Sequence, residues 1–140
     1  MHTVVLDTNV LIAALRSRRG ASFALLSRIG HDWTPLISVP LILEYEAVAK
    51  RECQRMKIPQ STAEAVIQAF CFVGRETDIH FGLRPFLSDP GDEFLLELAV
   101  AGQADAIVTH NVRHFLGVDR FGLLVMTPIE FLRRIEREGP

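Results

Sequence analysis

Val4-Val5-Leu6-Asp7-Thr8-Asn9-Val10 runs from a short apolar strand straight into a carboxylate and then into a second apolar segment. Asp7 therefore stands at a strand's carboxyl end, the edge of an open parallel α/β sheet at which loops converge and ligands bind. An aspartate there can equally be a turn or cap residue, so its weight depends on what the rest of the chain supplies. Glu44, Asp92 and Asn111 each bring an acid or an amide to a comparable place. Such oxygen-bearing groups, if gathered, can hold a ligand or carry a proton.

The neighbours of each acid narrow its role. On a helix from Pro40 to about Arg55, Leu41, Ile42, Tyr45, Val48, Ala49 and Cys53 form one apolar stripe, with Glu44 and Glu46 on its two flanks. Glu46 has Lys50 four residues on, the favourable order for a surface ion pair, whereas Glu44 has no basic residue three or four positions away. Farther on, Asp92 falls on the packing face with Leu95, Leu96 and Ala99, where it can also serve the helix N-terminus in competition with Asp89. Glu93 stacks over Glu97 and is expected in solvent. The apolar run Ala106-Ile107-Val108 ends in Thr109-His110-Asn111 much as the first strand ends in Asp7, with Asp105 as a turn residue at its other end. His110 and His114 have the spacing of a metal pair, but nothing nearby completes a zinc site.

These positions need a frame, and the chain provides one. Asn9 is placed to cap a helix beginning at Val10, which Arg16-Ser17-Arg18-Arg19-Gly20 ends. Those three arginines could hold a phosphate backbone or simply close the helix in solvent. A second helix is expected from Ala21 to about Ile29, and a buried strand at Leu36-Ile37-Ser38-Val39, with Pro40 opening the helix of Glu44. Ser61-Thr62-Ala63-Glu64 reads as a capping box for a helix through Val66, Ile67, Phe70 and Cys71. Arg75 to Ile79 carries the chain back, and the turn-rich stretch from Phe86 to Gly91 feeds Asp92 into its helix. A last strand at Leu123 to Met126 leads to Thr127-Pro128-Ile129-Glu130, which combines cap, proline and capping box at the closing helix. Four strands alternating with helices make a three-layer α/β/α sandwich around a mainly parallel sheet, with Asp7 and Asn111 opening onto one edge.

Bulk properties restrict the partners. A length of 140 residues fits one domain, spanning 1–140, and buries a real core without staples. With 15 basic and 17 acidic residues, nothing attracts polyanions in general, so a nucleic-acid partner needs a local basic patch. Cys53 and Cys71 lie in helical, apolar contexts and are expected to be buried free thiols. No apolar run reaches the length of a membrane span, and the chain enters its first strand without the pattern of a secretory leader, pointing to a soluble, cytoplasmic protein.

The order and context of Val5-Leu6-Asp7-Thr8-Asn9, Leu43-Glu44-Tyr45, Asp92 running into Leu95-Leu96-Glu97-Leu98-Ala99, and Ala104-Asp105-Ala106-Ile107-Val108-Thr109-His110-Asn111 resemble the PIN-domain family. The likeness is to its branch of toxins from toxin-antitoxin pairs, and it continues to Thr127-Pro128-Ile129-Glu130-Phe131-Leu132. It implies a PIN-like sandwich and a metal-dependent endoribonuclease whose acids bind Mg2+ or Mn2+ at the sheet's carboxyl edge. By position, Asp7, Glu44 and Asp92 match the metal-binding acids, and Asn111 matches a further site position. Many members carry another acid there or three residues on, where this chain has His114; an amide brings no charge, so a second metal should bind more weakly. Thr8, Asn9 and Thr109 are then candidates to hydrogen-bond the acids, and Arg16, Arg18 and Arg19 to contact the RNA backbone. The resemblance further implies a homodimer and an antitoxin protein as partner.

Other functions remain open to the same residues. A phosphatase resembling the haloacid dehalogenase type expects a second aspartate two residues after the first, where this chain has Asn9. A receiver-like signalling domain needs a lysine near the last strand, and none is suitably placed. A non-catalytic RNA-binding or regulatory domain, its metal site weakened at Asn111, keeps the fold without the chemistry.

Overall fold

The computed structural model describes residues 1–78, 86–87 and 89–139. At its centre five parallel strands lie in the order β3-β2-β1-β4-β5, with β1 at His2–Leu6, β2 at Trp33–Ile37, β3 at Arg75–Glu76, β4 at Ala106–Val108 and β5 at Leu124–Met126. The helices are α1 (Thr8–Arg16), α2 (Ala21–Leu26), α3 (Val39–Met56), α4 (Gln60–Val73), α5 (Pro90–Ala101) and α6 (Pro128–Glu138), giving the α/β/α sandwich. Val4, Val5 and Leu6 are fully buried, as are Ile107 and Val108 beside them, because both central strands are covered on both faces. No described helix is long and apolar enough to cross a membrane.

The chain builds the sheet outward from β1 in one direction through β2 and β3, then crosses to the other side for β4 and β5. The carboxyl ends of β1 and β4 therefore flank the point where the winding reverses, and the loops there diverge to leave a crevice. Asp7 directly follows β1 and Thr109 directly follows β4.

Several local expectations change. Among the described residues the sheet has five strands rather than four, because Arg75–Glu76 pairs in parallel with Leu36–Ile37; two exposed charged residues carry no apolar signal, and Ile79 lies outside the described residues. Strand β2 begins at Trp33 and includes Pro35. The proline is tolerated since β3 pairs only Leu36 and Ile37, leaving β2 an edge at Pro35. Helix α1 starts at Thr8, so Asn9 is in its first turn and does not cap it. Helix α4 opens at Gln60 behind Pro59, with no side-chain cap, so the Ser61 box does not form; the extended backbone of Pro59 starts the helix earlier, and Gln60 Nε2 donates to the Lys50 carbonyl at 2.9 Å. The capping box at Thr127 and Glu130 forms in both directions. Cys53 is buried, but Cys71 is exposed on the outer side of α4. No Glu46–Lys50 ion pair forms among the described residues.

Candidate metal centre at the sheet switch point

Asp7 is anchored before its chemistry begins. Its backbone N–H donates to the Val108 carbonyl at 2.9 Å, which continues the β1–β4 ladder one residue past the strand. Its Oδ2 accepts the Thr109 hydroxyl at 2.7 Å, a bond that spans the switch point from one strand end to the other. Thr109 is fully buried, and its Oγ1 also accepts the Asn111 backbone N–H at 3.0 Å. Asp7 thus has its side chain turned toward β4, and it stands at the N-cap position of helix α1 without a side-chain capping bond.

Glu44 reaches the same edge from α3. Ser38 caps that helix, accepting the Leu41 N–H, and Leu41, Tyr45, Ala49 and Cys53 form its buried stripe at four-residue spacing. Tyr45 is fully buried, and its hydroxyl donates to the Leu6 carbonyl at 2.6 Å. That bond ties α3 to the residue before Asp7. The adjacent Glu44 then takes the Thr8 hydroxyl on its Oε2 at 2.6 Å. Glu46, on the other flank, is exposed and takes no part.

Asp92 arrives on the first turn of α5. Asp89 caps this helix, accepting from the N–H groups of Gly91 and Asp92, so the competition for the cap goes to Asp89 and frees the Asp92 side chain. The Asp92 side chain is 14% exposed and pairs through Oδ2 with His114 Nδ1 at 3.2 Å. Beside it, Glu93 corrects the expectation of a solvated acid: it is 7% exposed, and its carboxylate accepts the N–H groups of Phe86 at 3.1 Å and Leu87 at 2.7 Å. The segment entering α5 folds over this position and gives the carboxylate backbone donors in place of water. Ser88 lies outside the described residues.

Asp7 senses the other two acids. Burial pushes the Asp7 carboxyl above its ordinary pKa, the Thr109 bond opposes the rise, and the negative charges of Asp92 and Glu44 add to it. Burial and the Asp89 charge raise Asp92, opposed by His114. Tyr45 is driven well up by burial and by the charges of Asp7 and Glu44, so its hydroxyl stays protonated as a donor. Asp7 therefore lies within the field of both Asp92 and Glu44. Each commits one oxygen to a neighbour, and Glu44 Oε1 and Asp92 Oδ1 accept no hydrogen bond from a described residue. An all-oxygen, anionic donor set of this kind suits Mg2+ or Mn2+. Among the described residues no group of three or more His, Cys, Asp or Glu side chains stands close enough together to hold a metal ion. The fit is thus one of charge and donor type.

The remaining sequence candidates divide. Thr8 and Thr109 hydrogen-bond the acids, whereas Asn9 makes only a long 3.5 Å contact from its Oδ1 to the His110 N–H. Asn111 is exposed and tied to the site through its backbone. Arg16 lines an open groove with Thr8, Asn9, Ile12, Arg51 and His110, while Arg18 and Arg19 are exposed on the turn beyond α1. Sequence reasoning missed Tyr45, Arg51 and the structural task of Glu93. Tyr45 carried a signal: a tyrosine within an apolar stripe must find a partner for its hydroxyl.

With this geometry the chain can be set against known proteins. No curated protein matches it. A solved structure, the crystal structure of VapBC2 from Rickettsia felis bound to a DNA fragment from their promoter, superposes with a TM-score of 0.57 and 16% identity, covering 88% of this chain and 96% of that one. At that identity the likeness is one of fold. A family model described as PIN domain matches residues 3–113, from β1 through both strand ends that carry Asp7 and Thr109 and both helices that deliver Glu44 and Asp92, and the chain accordingly belongs to the PIN-domain family.

Proposed function

We propose that this protein is a Mg2+- or Mn2+-dependent endoribonuclease that hydrolyses RNA phosphodiester bonds, acting in the cytoplasm as the toxin of a toxin-antitoxin pair. The observation that carries the reading is the half-buried Asp7 carboxylate, held by Thr109 across the switch point and raised in pKa by its desolvation and then by Asp92 and Glu44. Like charges gathered at the ligand-binding edge of a sheet repel and destabilise it unless a cation joins them.

Asp7, Glu44 and Asp92 would hold the ion. A divalent ion so placed supplies the charge and the activated water that in-line attack on a phosphodiester requires. Thr109 and Thr8 keep the Asp7 and Glu44 carboxylates aimed at the cleft, and Tyr45 fixes α3 against β1 so that the two acids share one position. Arg16 and Arg51, on the groove that begins at Thr8 and Asn9, are placed for the RNA backbone. Arg18 and Arg19 extend the same positive end of α1.

A structure of the same fold is a complex bound to promoter DNA. On that basis an antitoxin is proposed as partner, with a homodimer as the assembled form. The exposure of Asn111, which brings no charge, favours a second reading as an RNA-binding domain with a weakened metal site.

Incubation with assorted RNAs, with and without Mn2+, separates the two. Ion-dependent cleavage that disappears in Asp7→Asn is the expected result. RNA binding without cleavage, together with calorimetric titrations showing no Mn2+ heat specific to the unmodified protein, would leave only the second reading.

A further inference from the structure

We propose that Phe86, Arg120 and Phe121 form a platform on which an unpaired base of the RNA stacks beside the cleft; as a substrate contact this rests on the nuclease reading above. The rings of Phe86 and Phe121 meet edge to face, their centroids 5.3 Å apart at 84°. Both stay open to solvent, at 36% and 37% exposure, whereas Phe70, Phe115 and Phe131 are buried. The exposed Arg120 guanidinium stands 5.2 Å from the Phe86 centroid and 5.6 Å from that of Phe121, and among the described residues no carboxylate forms an ion pair with it. The backbone fixes each part. Glu93 accepts the Phe86 N–H at 3.1 Å, and the Phe86 ring lies over Gly117, whose φ of +88° suits glycine and where a Cβ would stand 3.2 Å from Phe86 Cζ. Phe121 closes the 3-10 turn Val118–Phe121, anchored by buried Val118. The platform thus joins the entry to α5 with the turns after β4, the two segments that carry Asp92 and His114. Gly117 follows His114 by three residues, about 10 Å at full extension, so one strand of RNA can reach both cleft and platform.

The chemistry of the cluster selects its occupant. Every base offers a π-face that stacks on an aromatic ring or a guanidinium plane, and in a duplex those faces are already covered, so such a platform takes single-stranded RNA without reading its sequence. A purely apolar partner would be met by the rings alone. A cation held against both rings instead complements a nucleotide, a flat base joined to an anionic phosphate. Phe72 makes the contrast: it is 89% exposed, but among the described residues neither a second ring nor a cation stands against it.

The test measures binding by the full chain, in a chelator so that no strand is cut, of a labelled single-stranded oligoribonucleotide of mixed sequence and of the same strand made abasic throughout. Fluorescence anisotropy should show the base-bearing strand bound about five- to 150-fold more tightly, the range that stacking of one base supplies. That ratio should persist in Phe72→Leu and largely vanish in Phe86→Leu and Phe121→Leu, which keep an apolar side chain but lose the π-face, with circular dichroism confirming that all three fold. Equal affinity for the two strands, or a ratio that survives both Phe86→Leu and Phe121→Leu, overturns the platform, hands the cluster to a protein partner or to packing, and leaves the nuclease reading to its own cleavage assay. A ratio lost as expected in a protein that cleaves nothing with Mn2+ upholds the platform and sinks only the nuclease reading. Failure to bind either strand overturns the platform.

Discussion

Asp7→Asn should make the metal-free protein more stable and the metal-loaded protein less so. Burial raises the Asp7 pKa first, and Asp92 and Glu44 raise it further against the Thr109 hydrogen bond. The sign follows from linkage. Below the ordinary carboxylate range, about pH 4, both folded and unfolded chains hold this proton and Asp7 contributes nothing to pH dependence. As pH rises, the unfolded chain releases the proton first, so stability falls until the folded carboxyl has also ionised, and the full penalty is present at neutral pH. An asparagine can still accept the Thr109 hydroxyl through its oxygen but carries no charge. Relief of a destabilised functional site is typically worth about 0.5–2 kcal/mol. For a chain of 140 residues, each kcal/mol moves the melting temperature by about 3–4 °C, so the variant should melt about 2–7 °C higher in the presence of a chelator.

Mn2+ reverses the order. At one hundred times its dissociation constant an ion that binds only the folded state adds about 2.7 kcal/mol, or about 9 °C by the same scaling. The unmodified protein should gain that increment and Asp7→Asn little of it, so the melting curves of the two proteins cross between chelator and saturating Mn2+. Differential scanning fluorimetry across a metal series reads both arms. A metal-free Asp7→Asn that melts lower than the parent would refute the electrostatic reasoning, since it would make the Thr109 bond to a charged Asp7 the larger effect.

Other substitutions probe the supports. Tyr45→Phe leaves the Leu6 carbonyl without its 2.6 Å donor in a fully buried place and should cost about 1–3 kcal/mol in urea unfolding, with Mn2+ affinity weakened because α3 loses its tie to β1. Glu93→Ala strips the carboxylate from the N–H groups of Phe86 and Leu87; a loss of about 1–3 kcal/mol and faster amide exchange at Leu87 are expected. Gly102→Ala places a Cβ 2.3 Å from Leu36 Cδ2, and Leu36 is fully buried. That overpacking should destabilise by about 1–3 kcal/mol, while Phe72→Ala, at an 89% exposed position, should change stability by no more than about 0.5 kcal/mol.

The elements that position the centre were legible because each announces itself locally. Val4-Val5-Leu6 and Ala106-Ile107-Val108 are uninterrupted apolar runs, as strands covered on both faces must be, and Thr127-Pro128-Ile129-Glu130 carries every mark of a helix start. Where the reading failed, the deciding interaction came from elsewhere in the chain. Arg75–Glu76 is a strand only because Leu36–Ile37 offers it a partner. Asn9 does not cap because α1 already starts at Thr8, and the Asp7 side chain that stands in the cap position is taken by Thr109 from the neighbouring strand β4.

Asp92 and Glu93 show most directly why a site is harder to read than a fold. Helical periodicity sets the two apart by angle, one toward the apolar stripe and one away from it. The angle fixes a direction, however, and burial depends on what stands in that direction. The chain entering α5 passes over Glu93 and supplies the backbone donors of Phe86 and Leu87, so an acid on the polar side is buried and satisfied. Asp92, on the apolar side, meets the open edge of the sheet with His114 as its partner. The two adjacent carboxylates therefore divide the work of the turn: Glu93 spends its charge pinning the segment that leads into the helix, and Asp92 keeps its own for the cleft. If that division is right, Glu93→Gln, which keeps an acceptor for the backbone, should preserve Mn2+ affinity while Glu93→Ala lowers it, and equal losses in calorimetric titrations of the two variants would show that the charge of Glu93 itself reaches the ion.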